Sequence, residues 1–451
     1  MVLHVGIDDT DSMERMCTTY VATEIVSRFR GLDLIGYPRL VRLNPNIPWK
    51  TRGNGALCLR YGVGQGTPFH VGRIGGERVE AYPRSGPVEA NEDLWETCED
   101  VVMELADLED PEAQPGLVVT RRKPSPGLYW RAVTDVVSWK EVEPLLSLVD
   151  FYLAPKGMRG LIGSLAAISW RPRDRTYEVL AYRMQERWGT LRVVREEDVM
   201  ALDERFPTTF NNYDHDNRHM AVVPNSPCPV LLGIRGDVAD DLHRALSTIK
   251  CEAVDRWILF KTNQGTDEHL VRRRVQDLRS NISAIVEGIV SARPRVLEGG
   301  HVVFPLDDGS TVDCVAYEPT KAFRKIVREL YPGDGVRAYG SVRDIPRSLN
   351  LEKLDVFELR QIVVKVANPR CLSCGRSMKS VGRAGGFRCR PCGAKAPPDA
   401  AEFRPLDRGI TEGIFEPPVA ARRHLSRPVK RMAFSRQGEG SGTLRTLLTR
   451  P

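Results

Sequence analysis

Four cysteines near the C-terminus constrain the fold more tightly than any other feature of the chain. Cys371-Leu-Ser-Cys374 and Cys389-Arg-Pro-Cys392 make a C-x2-C-x14-C-x2-C pattern. Each knuckle sets two thiolates on one side of a tetrahedral ion, and Gly375 and Gly393 permit the tight turns. The expected ion is zinc, and four cysteine ligands leave no position for water, so the metal is structural rather than catalytic. Two unrelated redox pairs would not fall together in one short Gly- and Arg-rich segment. The other six cysteines (Cys17, Cys58, Cys98, Cys228, Cys251, Cys314) are scattered singly and read as reduced thiols.

A chain of 451 residues is too long for one hydrophobic core, and three or four domains are expected. The N-terminus lacks a signal-peptide pattern and no apolar run reaches the ~18 residues of a membrane helix, which predicts a soluble, cytoplasmic protein. The net charge of +6 is mild, but 65 Lys plus Arg can supply basic patches for a polyanion.

Residues 2–7 read as a strand, 8–16 as a polar loop, and Tyr20, Val21, Ile25, Val26 and Phe29 as the apolar face of a helix. Strands follow at 40–43 and 56–61 around a Pro- and Gly-punctuated loop, 44–54. Helices are expected at 88–108 and 139–148 with a strand at 117–120 between them, then strands at 161–170 and 177–182. After a Pro- and Asn-rich stretch, 207–229, the segments 230–234, 238–249 and 257–260 suggest a strand-helix-strand unit. From residue 282 the order becomes strand, strand, strand, helix, strand, strand (282–296, 301–306, 311–317, 321–330, 335–342, 349–359), the order of an OB-fold barrel, which commonly binds single-stranded nucleic acid, with an SH3-like barrel or a purely structural β-domain as the alternative. Around the zinc ligands, Arg376, Lys379, Arg383, Arg388, Arg390 and Lys395 surround Phe387, a mixture suited to phosphates and a stacked base. Arg422, Arg423, Arg427, Lys430 and Arg431 form a further basic run, and 438–442 reads as a flexible end.

The chemistry is expected at the other terminus. Gly6-Ile-Asp8-Asp9-Thr10-Asp11-Ser12 packs three carboxylates and two hydroxyls into the loop after a strand, where α/β folds place ligands. So many carboxylates repel unless a cation sits among them, and Mg²⁺ with nucleotide phosphates is the natural occupant. Thr18 and Thr19 begin a helix whose free N–H groups attract anions, and Thr18 is a candidate phosphoryl acceptor. Taken alone, the Asp-rich loop also fits an Asx-turn and N-cap cluster. Lys50 and Arg52, set between glycines and prolines that fix backbone shape, favour a phosphoryl site. Lys156, Arg159, Gly160 and Gly163 repeat that style before the expected strand at 161–170. There is no Walker A sequence. Two polar clusters, 209–214 and 262–269, offer Asn211, Asn212, Asp214, Asn263, Gln264 and Asp267 for a small polar or cationic substrate, or for ordinary capped turns, with His269 as a candidate general base.

Together Gly-Ile-Asp-Asp-Thr-Asp-Ser, Cys17-Thr18-Thr19-Tyr20, 42–54, Arg159-Gly-Leu-Ile-Gly163, Thr-Asn-Gln-Gly-Thr-Asp, the barrel and the ribbon resemble the archaeal tRNA(Ile) 2-agmatinylcytidine synthetase family over nearly the whole chain. The resemblance implies a multidomain α+β protein. It comprises a kinase-like α/β catalytic domain (1–60 and 136–195) split around a ferredoxin-like domain (61–135 and 196–279), then an OB-fold (280–366), a zinc ribbon (367–400) and a basic tail (401–451). It implies ATP-dependent ligation of agmatine to C2 of the wobble cytidine in the isoleucine tRNA with a CAU anticodon, converting decoding from AUG to AUA. The C2 oxygen leaves poorly until phosphorylated, after which an amine can displace phosphate. Asp8, Asp9 and Asp11 would hold Mg²⁺ and ATP, Thr18 would be autophosphorylated, and Lys50 and Arg52 would neutralise phosphate charge. Gly6, Thr10, Ser12, Thr19, Asn54, Arg159 and Gly160 would complete the nucleotide site. Asn211, Asp214 and Asp267 are the candidates for cationic agmatine. The alternatives are an ATP-dependent kinase or ligase for another RNA or small molecule, and a non-enzymatic single-strand-binding protein built from the barrel and ribbon.

Overall fold

The computed structural model describes residues 2–12, 16–344, 347–382 and 385–432; Arg383 and the stretch 438–442 lie outside them. Its frame is one mixed, mostly antiparallel sheet of twelve strands. The elements that matter for the site are β1 (Leu3–Asp8), α1 (Thr18–Arg28), β2 (Arg39–Arg42), β3 (Gly55–Gly62), the hairpin β4 (Phe69–Ile74) and β5 (Glu77–Ala81), α2 (Glu92–Leu105), β6 (Gly116–Thr120), α3 (Pro126–Thr134), β7 (Phe151–Leu153), α4 (Arg159–Ser169), β8 (Thr176–Arg183), β9 (Val230–Gly236), α5 (Ala239–Thr248) and β10 (Val254–Thr262). The strand order is β7-β6-β1-β3-β2-β10-β8-β9. Every pairing along it is antiparallel except β2 with β10, where Arg39 and Leu40 register against Lys261 and Thr262. That parallel seam joins an N-terminal unit to a second one.

β1 is buried from Leu3 to Ile7 because both its faces are covered. Leu3, Val5 and Ile7 pack with Val21, Ile25, Leu94 and Val101 of α1 and α2. The opposite face meets α4, where a Cβ on Gly6 would lie 2.5 Å from the Ser164 carbonyl oxygen and one on Gly160 would lie 2.4 Å from the Gly116 nitrogen. The run 161–170, expected as a strand, is therefore α4. Its apolar residues carry no readable period because Gly160, Leu161 and residues 163–169 are all buried, so the helix has almost no polar face. The β4–β5 hairpin was not foreseen, although Gly75 and Gly76, with φ of 57° and 84°, supply the two-residue turn such hairpins favour. In the second unit β9 and β10 both pair with β8, so the expected strand-helix-strand unit has β8 inserted between its strands.

The expected barrel is present and closed. Ser283–Val290 pairs with Gly335–Asp344, which pairs with Arg347–Glu358. The circuit continues through Thr311–Ala316 and Val302–Asp307 back to Ser283–Val290. Its pairings are antiparallel except Thr311–Ala316 with Arg347–Glu358, and the helix Ala322–Arg328 lies where the sequence places it. After the ribbon the chain returns: Gly413–Phe415 adds to the barrel strand Arg347–Glu358, and residues 416–432 run back over the first two units as a strap. Among the described residues no helix is long and apolar enough to cross a membrane.

Candidate functional site

The sheet edge beyond β1 opens into a cavity of about 530 Å³, lined by parts of the chain that are far apart in sequence. Asp8, Asp9, Asp11, Thr18, Thr19, Lys50, Arg52, Asn54 and Arg159 all reach it, as does Asn211. Gly6, Thr10, Ser12 and Gly160 lie behind its wall, where the glycines let α4 sit against β1 and β6. Asp214 and Asp267 do not line it either. Asp214 accepts from Asn217 and from the Ala420 N–H at 3.2 Å, and Asp267 pairs with the fully buried Lys353 at 2.7 Å and caps the Arg427 N–H at 2.7 Å.

The three carboxylates are held apart. Asp9 receives Arg159 Nε at 2.9 Å and the Gln114 N–H at 3.2 Å. Asp11 lies 3.4 Å from Arg52 Nε and accepts from Thr51 Oγ1 at 3.3 Å and Thr18 Oγ1 at 3.5 Å. Asp8 accepts from the Asp9 backbone N–H and sits against α4 at Gly163, where a Cβ would lie 1.8 Å from its Oδ2. Burial, reinforced by Asp9 and Asp11, pushes the Asp8 carboxyl well above its usual range. Burial also raises Asp9 and Asp11, against the pull of Arg159 and Arg52. The Asp9 N–H and the charge of Arg159 offset that push only in part, so a cation brought to the site would favour the ionised Asp8.

Helix α1 points its first turn at the same place. Its N-cap, Cys17, makes no side-chain capping bond, so leading N–H groups stay open beside the buried Thr18 hydroxyl. Arg52 does more than carry charge. It donates to the Ser12 and Met16 carbonyl oxygens at 2.6 and 2.5 Å and to Ser226 Oγ at 3.3 Å, binding the Asp-rich loop, the 44–54 loop and the 207–229 stretch together. Lys50 is exposed on the rim, where partial burial of its amine and the nearby Arg423 and Arg343 lower its pKa. Trp49 beside it is 41% exposed.

Apart from Arg422 and Arg423 of the expected basic run, the far wall comes from residues that no motif signalled. Glu178 on β8, 1% exposed, accepts from Arg235 Nε at 2.8 Å and from Gln264. The strap adds Arg422, Arg423 and His424. Arg42, then burial, holds the His424 imidazole well below its ordinary value, so it is neutral. These positions are isolated polar residues within strands or in a segment about 400 residues downstream of the Asp-rich loop, and only folding brings them together.

Two expectations are corrected by their surroundings. His269 is fully buried and bonds Glu352 of the barrel at 2.9 Å, which makes it a joint between units and not a general base. The Thr-Asn-Gln-Gly-Thr-Asp segment braces rather than lines: Asn263 pairs with the Arg42 backbone, its Oδ1 taking the N–H at 2.7 Å and its Nδ2 meeting the oxygen at 2.8 Å.

In the ribbon the four cysteine sulfurs lie within 4.8 Å of one another, as a tetrahedral ion requires, and Gly375 and Gly393 have φ of 68° and 75°. Among the described residues no other group of three or more His, Cys, Asp or Glu converges so closely. Phe387 is 4% exposed in the small ribbon core, with the Lys365 amine 4.3 Å from its ring, and offers no face to a base. The basic run at 422–431 is likewise engaged internally: Arg431 pairs with Asp174 and Asp237, Lys430 with Asp203, Arg422 with Glu416, and Arg423 with Glu352.

Comparisons with known proteins agree along the chain. Family models match for the TiaS TCKD domain at residues 4–154, the TiaS FLD domain at 158–269 and the TiaS C-terminal zinc ribbon domain at 368–410. The chain is 38% identical over 441 residues to the isoleucine-tRNA 2-agmatinylcytidine synthetase TiaS of Methanocaldococcus jannaschii, covering 95% of this chain and 99% of that protein. It is 41% identical over 448 residues to the protein of that name from Archaeoglobus fulgidus, covering 96% and 98%. A crystal structure of TiaS in complex with its isoleucine tRNA and ATP superposes with a TM-score of 0.82 at 39% identity, covering 96% of this chain and 98% of that one. A complex of TiaS with the same tRNA, AMPCPP and agmatine does so with a TM-score of 0.79 at 36% identity and the same coverage.

Proposed function

The chain belongs to the isoleucine-tRNA 2-agmatinylcytidine synthetase (TiaS) family, and on that premise we propose how its cavity joins agmatine to the wobble cytidine of that tRNA at the expense of ATP. The observation that carries the proposal is the convergence of Asp8, Asp9, Asp11, Thr18 and Lys50 on one cavity beside the open N-terminus of α1. We take the first unit as kinase-like, the second as ferredoxin-like and the barrel as an OB-fold.

The triphosphate lies between the α1 N-terminus and Lys50, with Thr18 Oγ1 facing it as phosphoryl acceptor and Asp11 Oδ1, 3.5 Å away, placed to take the hydroxyl proton. Mg²⁺ fits here because it needs only one or two carboxylates besides phosphate oxygens, and among the described residues Asp8 is the carboxylate of the three with no salt bridge. When bound, the ion neutralises phosphate charge. Arg159 and Arg52 hold Asp9 and Asp11 in place. The cytidine leaves the anticodon stack to enter the cavity, and the exposed Trp49 ring offers it a stacking surface at the rim. Transfer of a phosphoryl group to the C2 oxygen makes it a leaving group, and the agmatine amine then forms the new C–N bond as phosphate departs. Of the three residues assigned to agmatine, Asn211 reaches the cavity. Glu178 and Asp135 also line it and can meet the cationic ends, while Asp214 and Asp267 anchor the strap.

The test is incubation of the full chain with labelled agmatine, ATP and transcript tRNA carrying the CAU anticodon. Label is expected in the tRNA. ATP consumption with no agmatine incorporated would overturn the proposal.

A further inference from the structure

Helix α4 begins at the carboxylates with Arg159 and ends, 11 residues and about 16 Å later, at a second concentration of charge. Lys261 on β10 registers against Arg39 on β2, Arg39 against Cys58 on β3, and Arg60, two residues beyond Cys58, against His4 on β1. Paired positions and positions two apart share a face of a sheet, so Lys261, Arg39 and Arg60 stand side by side. Lys123 arrives from the turn after β6. Its amine at 3.0 Å and the Arg39 guanidinium at 3.1 Å both donate to the carbonyl oxygen of Trp170, the residue that closes α4.

That carbonyl, the negative pole of the helix and two ring faces, Trp170 at 5.8 Å from Arg39 and Tyr177 at 6.0 Å from Lys261, are what offsets them among the described residues. The pole is worth about half an elementary charge, against four cations. Among the described residues no carboxylate pairs with Arg39, Arg60, Lys123 or Lys261, and the Nε atoms of Arg39 and Arg60 are buried without an acceptor. Burial and the neighbouring cations lower Lys123 and Lys261 to about 8 and Arg60 to about 10. His4, at about 3 through burial and then Arg39, is neutral and leaves the sum unchanged. Arg171 and Arg175 add exposed positive charge at the rim. Packing like charges together without a counter-ion costs stability, and such a cost is kept where a ligand repays it.

We propose that Arg39, Arg60, Lys123 and Lys261 form a phosphate-binding site separate from the catalytic cavity, filled by an RNA backbone phosphate or by a free phosphate. The RNA source rests on the function proposed above; the free-phosphate source does not. For RNA, the site would hold the tRNA body while one nucleotide enters the cavity at the other end of α4.

The experiment uses the full chain and the double variant Lys123→Met with Lys261→Met, which keeps the apolar stems. Thermal unfolding is followed with and without inorganic phosphate, and binding of transcript tRNA is measured at two salt concentrations. Without ligand, the double variant is expected to melt at or above the wild-type temperature, since it sheds unbalanced charge. If RNA is the ligand, tRNA binding weakens about tenfold and the salt slope falls by about 1 to 2. If free phosphate is the ligand, tRNA binding is unchanged and the phosphate-dependent rise in melting temperature is lost. Unchanged tRNA binding together with an unchanged phosphate response overturns the site. A melting temperature below wild type in both the double variant and Arg60→Met also overturns it, since the cations would then be structural. Agmatine incorporation by the wild type is scored in parallel, and its absence would sink the function while leaving the phosphate arm standing.

Discussion

Asp8 is a carboxyl group kept where water is scarce, beside two others, with Arg159 and the Asp9 N–H offsetting its burial only in part. Its pKa and those of Asp9 and Asp11 lie above the ordinary 3.8. A carboxyl group with a raised folded-state pKa contributes its stability in full below the unfolded value and loses it as pH rises through the folded one. The nucleotide-free protein should therefore lose stability on account of these groups as pH rises above about 4 and through their raised folded-state values. Asp8→Asn removes one of the charges, so its melting temperature without nucleotide should match or exceed wild type at about pH 7 and fall less steeply with pH. Agmatine incorporation should drop on the order of 100-fold or more. A variant that melts lower and still turns over would show that Asp8 is structural. The Asp-rich loop was legible in the sequence because its residues are contiguous and their mutual repulsion demands an explanation. Glu178, Arg42 and His424 were not legible, since each is a lone polar residue whose meaning depends on what lies across the cavity.

Helix α4 turns the residue-scale requirement into geometry. It must approach β1 closely enough to bring Arg159 onto Asp9 and leave room for the Asp8 carboxylate, and Gly6, Gly160 and Gly163 make that approach possible. Gly163→Ala would place a methyl group on Asp8 Oδ2. Overpacking of this kind costs about 1–3 kcal/mol, and the carboxylate is the softest thing in its way. Agmatine incorporation should fall at least about tenfold, a factor that a displacement of ~1 Å readily produces, with a melting temperature a few degrees lower. Retained activity at a lowered melting temperature would mean that Asp8 relocates without consequence. The same burial explains why this element was misread from sequence. A helix apolar on all sides shows neither a 3.6-residue nor a two-residue period, so its short run of Leu, Ile and Ala passes for a strand. The barrel, in contrast, has alternating strands separated by turn residues and was legible in order and extent, and the cysteine spacing fixed the ribbon before any fold was considered.

At the scale of the whole molecule, the chain leaves the first two units, builds a barrel and a zinc ribbon, and returns to finish the cavity it began with. The strap is fastened at both ends. Gly413–Phe415 pairs with the barrel, and Arg431, 5% exposed, bonds Asp174 and Asp237 of the second unit while its guanidinium lies over the Phe210 ring. Between these anchors the His424 and Leu425 carbonyl oxygens accept the N–H groups of Gly265 and Asp267 at 2.8 and 2.9 Å, which seats Arg423 and His424 against the cavity. Arg431→Met keeps the apolar stem and removes the guanidinium from its two carboxylates and from Phe210, leaving carboxylates that water can partly reach, for a loss of about 1–3 kcal/mol. The loss should be local. Protease cleavage within 416–432 should become faster while the barrel and ribbon stay intact, and the KM for ATP or tRNA should rise more than kcat falls, because the cavity wall is then present only part of the time. If kcat alone fell and the strap resisted protease as in wild type, Arg431 would act on the chemistry by some other route. Because the strap's cations are engaged internally, the +6 of the chain overstates what its C-terminal run offers to RNA, and the rim of the cavity and the far end of α4 offer charge alongside the exposed Arg376, Lys379, Arg388, Arg390 and Lys395 of the ribbon.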